Sequence, residues 1–362
     1  MSGLMTSTNL FLKVLNKCCP NVSPKRNNFF KKLFCKRSKK GSGGANLSPC
    51  SRIESRGMSM PMVGIGTWQV EPECIESVIT CALTVGYRHI DTSHSYGNQE
   101  AIGSTLDCLF KGGKFCRNEI FVSAKLPYYG MTPDKVCTYV TDALNCLRLS
   151  YIDLFMIQFP VGIKEYHGHY VADPDTNHVL IWKALEEQVY DDRIKSLGLS
   201  NFNMRQISSL MECVNIPPAN IQLEMHLYLQ QKEMRTFCSQ HCIGMTAYAP
   251  IGSPGLDQYL MKNCLQPACV PPPLNDESVI RIACKYKKTP AQVLLRFLLQ
   301  SGVAVIPKSI LPDRIYKNFD IFDFNLDECE MAELCGKDMC EQGRMFGCNV
   351  WVGTNHHPEF PF

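Results

Sequence analysis

An acid and a phenol stand five residues apart in the segment 86–100. Asp91 ends a short apolar strand predicted at Arg88–Thr92, and Tyr96 lies in the turn that follows. A carboxylate and a phenol at the mouth of a parallel strand are suited to proton transfer. The same spacing also fits an ordinary strand-to-helix loop, in which Asp91 caps the helix and Tyr96 packs. The spacing alone leaves both interpretations open.

A lysine closes the next predicted strand, Ile120–Lys125. A lysine at the end of an apolar strand needs a partner for its charge, and Asp91 is the nearest candidate. Free tyrosine has a pKa of about 10, and a nearby ammonium favours the phenolate and lowers that value. We therefore predict that Lys125, held by Asp91, lowers the pKa of Tyr96 and makes it a usable proton donor. A purely structural ion pair is the alternative.

Apolar strands alternate with helices from Met60 to the C-terminal part of the chain. The predicted strands are Val63–Gly66, Arg88–Thr92, Ile120–Lys125, Ile152–Ile157, Ile194–Ser200, Ile221–Leu223, Met245–Tyr248 and Val303–Ile306. The predicted helices between them include Cys74–Val85, Pro133–Leu147, Val179–Tyr190 and Glu277–Tyr286. Eight such strands predict a (β/α)8 TIM barrel, an α/β fold whose active site lies at the carboxyl ends of the strands. A Rossmann domain is not supported, because no G-x-G-x-x-G sequence follows a strand.

The N-terminal region differs in composition from the rest. Residues 1–50 contain ten Lys or Arg and no Asp or Glu, and Gly41-Ser42-Gly43-Gly44 is typical of a linker. We predict a basic, disordered extension over residues 1–56 and a barrel over residues 57–362. A mitochondrial transit peptide and a weak contact with an anionic membrane surface are the alternatives for this extension.

The remaining composition bounds location and partners. No apolar run of about 18 residues predicts a transmembrane helix, and no nucleic-acid partner is expected. The 20 cysteines stand at unrelated spacings, which indicates reduced thiols in a cytoplasmic protein. We predict no metal site, because the sequence between Cys238 and Cys242 lacks a second pair of ligands.

The segment 86–100 resembles the signature of the aldo-keto reductase family. Glycine, Tyr-Arg-His, Ile-Asp and then Tyr and Asn stand at the family's spacings, and further motifs follow in the family's order over roughly residues 57–362. The resemblance implies a monomer that reduces aldehyde or ketone carbonyls with NADPH. It assigns Tyr96 as the proton donor, Lys125 as its modulator and Asp91 as the anchor of the lysine.

The fourth catalytic position departs from the family. Gln158, followed by Phe159 and Pro160, stands where the family has His before Trp-Pro. Glutamine is neutral and carries both a donor and an acceptor, so its amide can orient a carbonyl but cannot relay a proton. We expect carbonyl reduction with lower efficiency or a narrower substrate range. The alternative is a catalytically weak or inactive NADPH-binding barrel that acts as a redox sensor or scaffold.

The same resemblance implies the ligand contacts. Ser200, Asn201 and Gln222 would bind the nicotinamide carboxamide, and Tyr248 would stack on its ring. The other cofactor residues would be Thr67, Ser253 at the pyrophosphate, Lys308, Ser309 and Arg314 at the 2′-phosphate, and Asn318 at the adenine. Ala249 and Lys317 stand where the family has Ser and Glu. Trp68 and Phe159 would form walls of the substrate pocket, and the C-terminal segment with Trp351 would cover its mouth.

Overall fold

The computed structural model describes residues 47–362 except Ala268, Cys348, Asn349 and Val352. Its strands are β1 (Arg52–Ser55), β2 (Met58–Pro61), β3 (Ile65–Gly66), β4 (His89–Asp91), β5 (Phe121–Leu126), β6 (Ile152–Ile157), β7 (Ile163–Tyr166), β8 (His169–Ala172), β9 (Ile194–Ser200), β10 (Asn220–Glu224), β11 (Gly244–Tyr248) and β12 (Ala304–Val305). Its α-helices are α1 (Pro72–Val85), α2 (Gln99–Lys111), α3 (Pro133–Leu147), α4 (His178–Tyr190), α5 (Met204–Met211), α6 (Lys232–His241), α7 (Leu256–Lys262), α8 (Glu277–Tyr286), α9 (Pro290–Gln300), α10 (Pro312–Phe319) and α11 (Glu328–Cys335).

Eight of these strands form one parallel sheet that closes on itself. They run in the order β3, β4, β5, β6, β9, β10, β11, β12. A parallel bridge between Val63 and Val305 joins the first and last strands, and the amide of Gly64 donates to the carbonyl of Val305 at 2.9 Å. The predicted (β/α)8 barrel is therefore confirmed. Its closure brings the carboxyl ends of all eight strands to one rim.

Several helices begin at residues whose side chains accept hydrogen bonds from the free amides of the first turn. Thr289 and Gln292 form a capping box at the start of α9, where Pro290 occupies the first helical position. Proline is well tolerated there, because the first-turn amide has no partner within the helix. Helices α2 and α3 pack closely enough that a Cβ at Gly103 would lie 2.0 Å from the carbonyl oxygen of Cys146. Glycine at this position is required by the close approach of the two helices.

A β-hairpin covers the end of the barrel opposite the carboxyl rim. Strands β1 and β2 pair antiparallel, and Met58 and Met60 pack into the core with Phe121, Leu154 and Met156. Arg52–Ser55 were predicted to belong to the basic extension, but these residues form β1. The side chains of Arg52 and Glu54 are exposed, so the strand has no apolar run that sequence reasoning would detect. The remainder of the predicted extension, residues 1–46, lies outside the described residues.

The polar insert after β6 forms a second hairpin from β7 and β8. Its histidines, His167 and His169, are exposed. Neither histidine lines the cavity at the carboxyl rim, so neither takes the place of the histidine that the family has at position 158. Within the part of the chain that the structure describes, no helix is both long and apolar enough to cross a bilayer.

Candidate active site

The core of the site is an ion pair between neighbouring strands. Lys125 Nζ lies 2.6 Å from Asp91 Oδ1, and the two side chains are only 1% and 2% exposed. The parallel register sets Asp91 opposite Ser123, two residues before Lys125. Residues two apart in a strand face the same way, so Ser123 and Lys125 both point at Asp91. Taking this pair out of water is costly, so close geometry is needed to hold it.

Tyr96 reaches the same ammonium from the loop after β4. It ends a short 3-10 helix, His94–Tyr96, that begins after Ser93 and is followed by Gly97 with a φ of 69°. Tyr96 OH lies 3.3 Å from Lys125 Nζ, and the ammonium also donates to the carbonyl of Thr92 at 3.1 Å. The structure therefore brings together the predicted acid, lysine and phenol.

Lys125 acts on the pKa of Tyr96 in the predicted direction, but burial acts against it and is the larger effect. Burial raises the pKa of Tyr96 above its ordinary value near 10, and the charge of Lys125 offsets only part of that rise. Burial also opposes the charge on Lys125, but Asp91 and Tyr96 outweigh it, so the pKa of Lys125 lies above its usual value. The site thus holds a protonated phenol next to a protonated lysine.

Asp91 is fixed by more donors than the sequence analysis foresaw. Besides Lys125, the hydroxyl of Ser123 and the amide nitrogen of Gln222 each donate to Asp91 Oδ2 at 2.8 Å. Ser123 was missed, although its position two residues before Lys125 in the strand is a usable signal. A carboxylate that accepts several hydrogen bonds is stabilised in its charged form.

Gln158 directly follows the barrel strand β6 and lies within hydrogen-bonding distance of two serines. Ser93 Oγ donates to Gln158 Oε1 at 2.7 Å. Ser95 Oγ lies 3.1 Å from both Oε1 and Nε2 of the same amide. Neither serine was predicted to be a site residue. Their place beside Asp91 and Tyr96 in the sequence is the only signal that marks them.

The residues predicted to bind nicotinamide contact one another. Tyr248 OH donates to Asn201 Oδ1 at 2.7 Å, and Asn201 Nδ2 donates to Ser200 Oγ at 3.2 Å and to the carbonyl of Gln158 at 3.0 Å. Tyr248 lies on β11 and Ser200 on β9, so the rim of the barrel brings them together. Burial raises the pKa of Tyr248 well above its usual value, and the phenol is therefore neutral.

A cationic region lies at the other end of the cavity. Lys308 and Arg314 are exposed, and among the residues that the structure describes neither forms an ion pair with a carboxylate. Lys317, by contrast, contacts Asp313 at 2.8 Å. Ser309 and Asn318 are buried beside these cations. Two cations without carboxylate partners suit a phosphate, the anion for which the sequence analysis selected them.

Aromatic rings surround the opposite part of the cavity. Trp351 stacks on Phe159 with ring centroids 4.1 Å apart and an interplanar angle of 12°. Trp68 makes edge contacts with Tyr259 and Phe346 at centroid distances of 5.1 and 5.6 Å. Phe360 and Phe362 also approach Phe159, at 6.2 Å each. The C-terminal segment therefore contributes to the cavity wall, as the sequence analysis expects.

All the predicted site residues line one cavity of about 1190 Å³ at the carboxyl rim. They are Thr67, Trp68, Asp91, Tyr96, Lys125, Gln158, Phe159, Ser200, Asn201, Gln222, Tyr248, Ser253, Lys308, Ser309, Arg314 and Asn318. The cavity also includes Ser95, Tyr128 and residues 170–172 of the second hairpin, which the sequence analysis does not assign. Its volume exceeds what a small carbonyl compound alone requires. It thus has room for a dinucleotide beside such a compound.

Comparison with known proteins agrees with this geometry. Residues 61–338 match the Aldo/keto reductase family. Aldo-keto reductase family 1 member A1 of Gallus gallus is 35% identical over 286 residues, which span 77% of this chain and 85% of that protein. Aldo-keto reductase family 1 member D1 of Mus musculus is 35% identical over 325 residues, spanning 85% of this chain and 95% of that protein.

A solved structure, that of the aldose reductase from Schistosoma japonicum, superposes with a TM-score of 0.76 at 34% identity. The superposition covers 86% of this chain and 98% of the solved one. The family match spans all eight strands of the barrel, from β3 to β12, together with Asp91, Tyr96, Lys125 and Gln158. The chain belongs to the aldo/keto reductase family, whose members are oxidoreductases.

Proposed function

We propose that this protein reduces aldehyde or ketone carbonyls to alcohols with NADPH, and that Tyr96 donates the proton. One observation carries the proposal: Lys125 is buried between Asp91 and Tyr96, 2.6 and 3.3 Å away, in the wall of the cavity. A buried ion pair is weak evidence for stability, because desolvation offsets much of the attraction. Its contact with a phenol that lines a ligand-sized cavity supports a role in chemistry.

The cationic region supports NADPH as the cofactor. The residues present fit it: Lys308 and Arg314 have no carboxylate partner among the described residues, and Ser309 adds a buried hydroxyl. A guanidinium fork and an ammonium suit a dianionic phosphate such as the 2′-phosphate that distinguishes NADPH from NADH. Ser200, Asn201 and Gln222 would hold the carboxamide at the other end, where Tyr248 would stack.

The proton-transfer step follows from the residues of this chain. Bound NADPH supplies the hydride that the carbonyl carbon accepts. Tyr96 donates its hydroxyl proton to the carbonyl oxygen, and the phenolate that remains lies beside the ammonium of Lys125. Asp91 keeps that ammonium charged and in place. The raised pKa of Tyr96 keeps the phenol protonated before the reaction, and the charge of Lys125 stabilises the phenolate after it.

The wall of the cavity supports an apolar or aromatic carbonyl compound as substrate. Trp68, Phe159, Trp351 and Tyr128 present rings next to the catalytic residues, and such rings bind apolar groups well. The residues of the proposed proton transfer and the aromatic walls line one cavity of this chain, so a monomer is sufficient for the proposed reaction. Sixteen cysteines of the described part are free, and this supports a reducing compartment such as the cytoplasm.

A second candidate is a barrel that binds NADPH but turns over poorly, as a redox sensor or scaffold. Gln158 and Ala249 both remove a group that the family has, and Lys317 is paired with Asp313 rather than available to the adenine. The intact contact among Asp91, Lys125 and Tyr96 favours the enzyme, because a site without catalytic use has no need of a costly buried ion pair.

The test compares NADPH oxidation by the wild type and by Tyr96→Phe against a panel of aldehydes. Phenylalanine keeps the ring but has no proton to donate, so we expect a loss of about 100-fold or more in kcat. Quenching of protein fluorescence by NADPH would show equal binding to both proteins. Binding without turnover by the wild type would instead favour the sensor or scaffold.

A further inference from the structure

The amide of Gln158 belongs to a closed hydrogen-bond network with Ser93 and Ser95. Ser93 is fully buried, and its hydroxyl contacts Gln158 Oε1 at 2.7 Å. Ser95 Oγ lies 3.0 Å from Ser93 Oγ and 3.1 Å from each of the two amide atoms of Gln158. Ser93 and Ser95 belong to the turn that carries Tyr96, the proposed proton donor, and Gln158 lines the same cavity as Tyr96.

The number of hydroxyl and amide protons determines which groups donate and which accept in this network. The single hydroxyl proton of Ser93 makes the shortest contact, with Gln158 Oε1, and Ser93 Oγ in turn accepts from the backbone amide of Ser95 at 3.4 Å. Ser93 thereby fills one of the two acceptor sites of Gln158 Oε1, and Gln158 Nε2 donates to Ser95 Oγ. A hydroxyl group has one donor and two acceptor sites. With an acceptor site filled by Gln158, the proton of Ser95 can turn toward an acceptor in the cavity.

The exposure of the two serines separates their roles. Ser93 is buried and does not line the cavity. Among the described residues, its hydroxyl hydrogen-bonds only to Gln158 and Ser95. Ser95 is exposed and lines the cavity beside Tyr96 and Gln158. Ser93 is therefore able to position the amide but not to meet a ligand, whereas Ser95 is able to do both.

We propose that Ser95 is a second hydrogen-bond donor to the substrate carbonyl, polarised by Gln158, with Ser93 as the residue that positions Gln158. This inference rests on the proposed carbonyl reduction. Donors in a chain strengthen one another, since each hydrogen bond polarises the next. Ser95 keeps its proton throughout, and Tyr96 alone transfers one. Where the family has a histidine, this site has the hydroxyl of Ser95 and the amide of Gln158, two neutral groups that do not titrate near neutral pH.

The experiment measures NADPH oxidation by Ser95→Ala, Ser95→Thr and Ser93→Ala, with the exposed Ser77→Ala on α1 as the matched control. Benzaldehyde and an electron-poor nitrobenzaldehyde are the two substrates. We expect Ser95→Ala to lower kcat/KM for benzaldehyde by about tenfold or more, because a donor to the developing oxyanion is lost. The loss for nitrobenzaldehyde is expected to be smaller, since its carbonyl is already activated.

The remaining variants and a binding titration separate this role from a structural one. Ser95→Thr keeps the hydroxyl and should retain most of the activity, and Ser93→Ala should fall between the wild type and Ser95→Ala. The Kd for NADPH, measured by fluorescence quenching, should be the same in all variants. A structural role would instead lower activity equally for both aldehydes.

Equal losses for both aldehydes, or wild-type activity in Ser95→Ala, would overturn the role of Ser95 and leave carbonyl reduction standing. Absence of turnover by the wild type with every carbonyl tested would overturn the proposed function and this inference together.

Discussion

Gln222 and Asp91 are joined across the barrel, with Gln222 Nε2 donating to Asp91 Oδ2 at 2.8 Å. Gln222 lies on β10 and is predicted to bind the nicotinamide carboxamide, whereas Asp91 anchors Lys125. One amide therefore links the cofactor end of the cavity to the proposed proton-transfer residues. Binding of a cofactor at Gln222 would therefore change the hydrogen bonding of the Asp91 carboxylate.

The first prediction tests that link with Gln222→Met, which has a similar length and no hydrogen-bonding group. We expect the Kd for NADPH to rise by about fivefold to tenfold for the loss of one hydrogen bond, and kcat to fall as well because Asp91 loses a donor. Fluorescence titration and steady-state kinetics measure the two effects.

Ser123→Ala is the matched control for Gln222→Met. It removes another donor to Asp91 at the same distance but does not line the cavity. It should lower kcat and leave the Kd for NADPH unchanged. A Gln222→Met variant that changes only the Kd would show that the link to Asp91 has no catalytic consequence.

A second prediction concerns the stability of the buried ion pair. Asp91→Asn leaves the ammonium of Lys125 buried without its carboxylate, which typically costs about 3–5 kcal/mol. Adding Lys125→Met removes that charge, so the double variant should recover much of the free energy of unfolding while remaining inactive. Urea denaturation measures the free energy of unfolding of both variants.

The control is Asp107→Asn, which breaks an exposed ion pair with Lys111 and should change stability little. Equal stability of the single and double variants would argue that Lys125 loses its proton once Asp91 is gone.

The third prediction is the pH dependence of reduction. The reaction requires the protonated phenol, and burial raises the pKa of Tyr96 above its usual value. Activity should therefore be constant through neutral pH and fall only above about pH 10. Gln158 does not titrate and adds no acidic limb. Measurement of kcat/KM with one aldehyde across this range checks the shape. A midpoint well below pH 10 would show that the charge of Lys125 outweighs burial, as the sequence analysis expects.

The barrel could be predicted from the sequence because its strands are apolar runs. Ile152–Ile157 and Ile194–Ser200 were predicted with the bounds that the structure has, since both faces of these strands are covered. Strands β1, β7 and β8 were missed for the opposite reason, because most of their residues are exposed and their sequences are polar or mixed. Strand β2 is buried through Met58 and Met60, but four residues are too few to give a recognisable pattern.

The sequence allowed us to predict which residues form the site, but not the net effect of their charges and burial on pKa values. Residues such as Asp91 and Lys125 could be placed at the rim because strand ends converge there. The sign of the pKa shift of Tyr96 could not be predicted, because it depends on the balance between desolvation and a charge 3.3 Å away. The contacts of Gln158 with Ser93 and Ser95 likewise depend on side-chain distances that spacing along the chain does not give.

A fourth prediction follows from His89, which is buried in β4 and contacts Ser123 Oγ at 3.0 Å. Burial lowers the pKa of His89 from 6.5 to about 4. Between pH 4 and 6.5, the unfolded chain binds a proton at this histidine and the folded chain does not. The free energy of unfolding is therefore unaffected by His89 above about pH 6.5 and falls as the pH is lowered toward 4. Relative to His89→Gln, the wild type should lose about 2 kcal/mol between pH 6.5 and 5. Urea denaturation measures both proteins across this pH range. An equal loss of stability in the wild type and His89→Gln would contradict the lowered pKa of His89.

The last prediction concerns Gln158→His. An imidazole N–H donates directly to a carbonyl oxygen, so we expect the variant to gain kcat/KM for some aldehydes, on the view that Gln158 limits the efficiency or range of the enzyme. The histidine would not make the present contacts of Gln158 with Ser93 and Ser95. The gain should therefore persist when Ser95→Ala is added, whereas Ser95→Ala alone should lower kcat/KM by about tenfold or more. Steady-state assays of the two single variants and the double variant across an aldehyde panel measure this. If no aldehyde is reduced faster by Gln158→His, then the glutamine and its two serines already serve the reaction as well as a histidine does, and the limit on the substrate range lies in the aromatic walls.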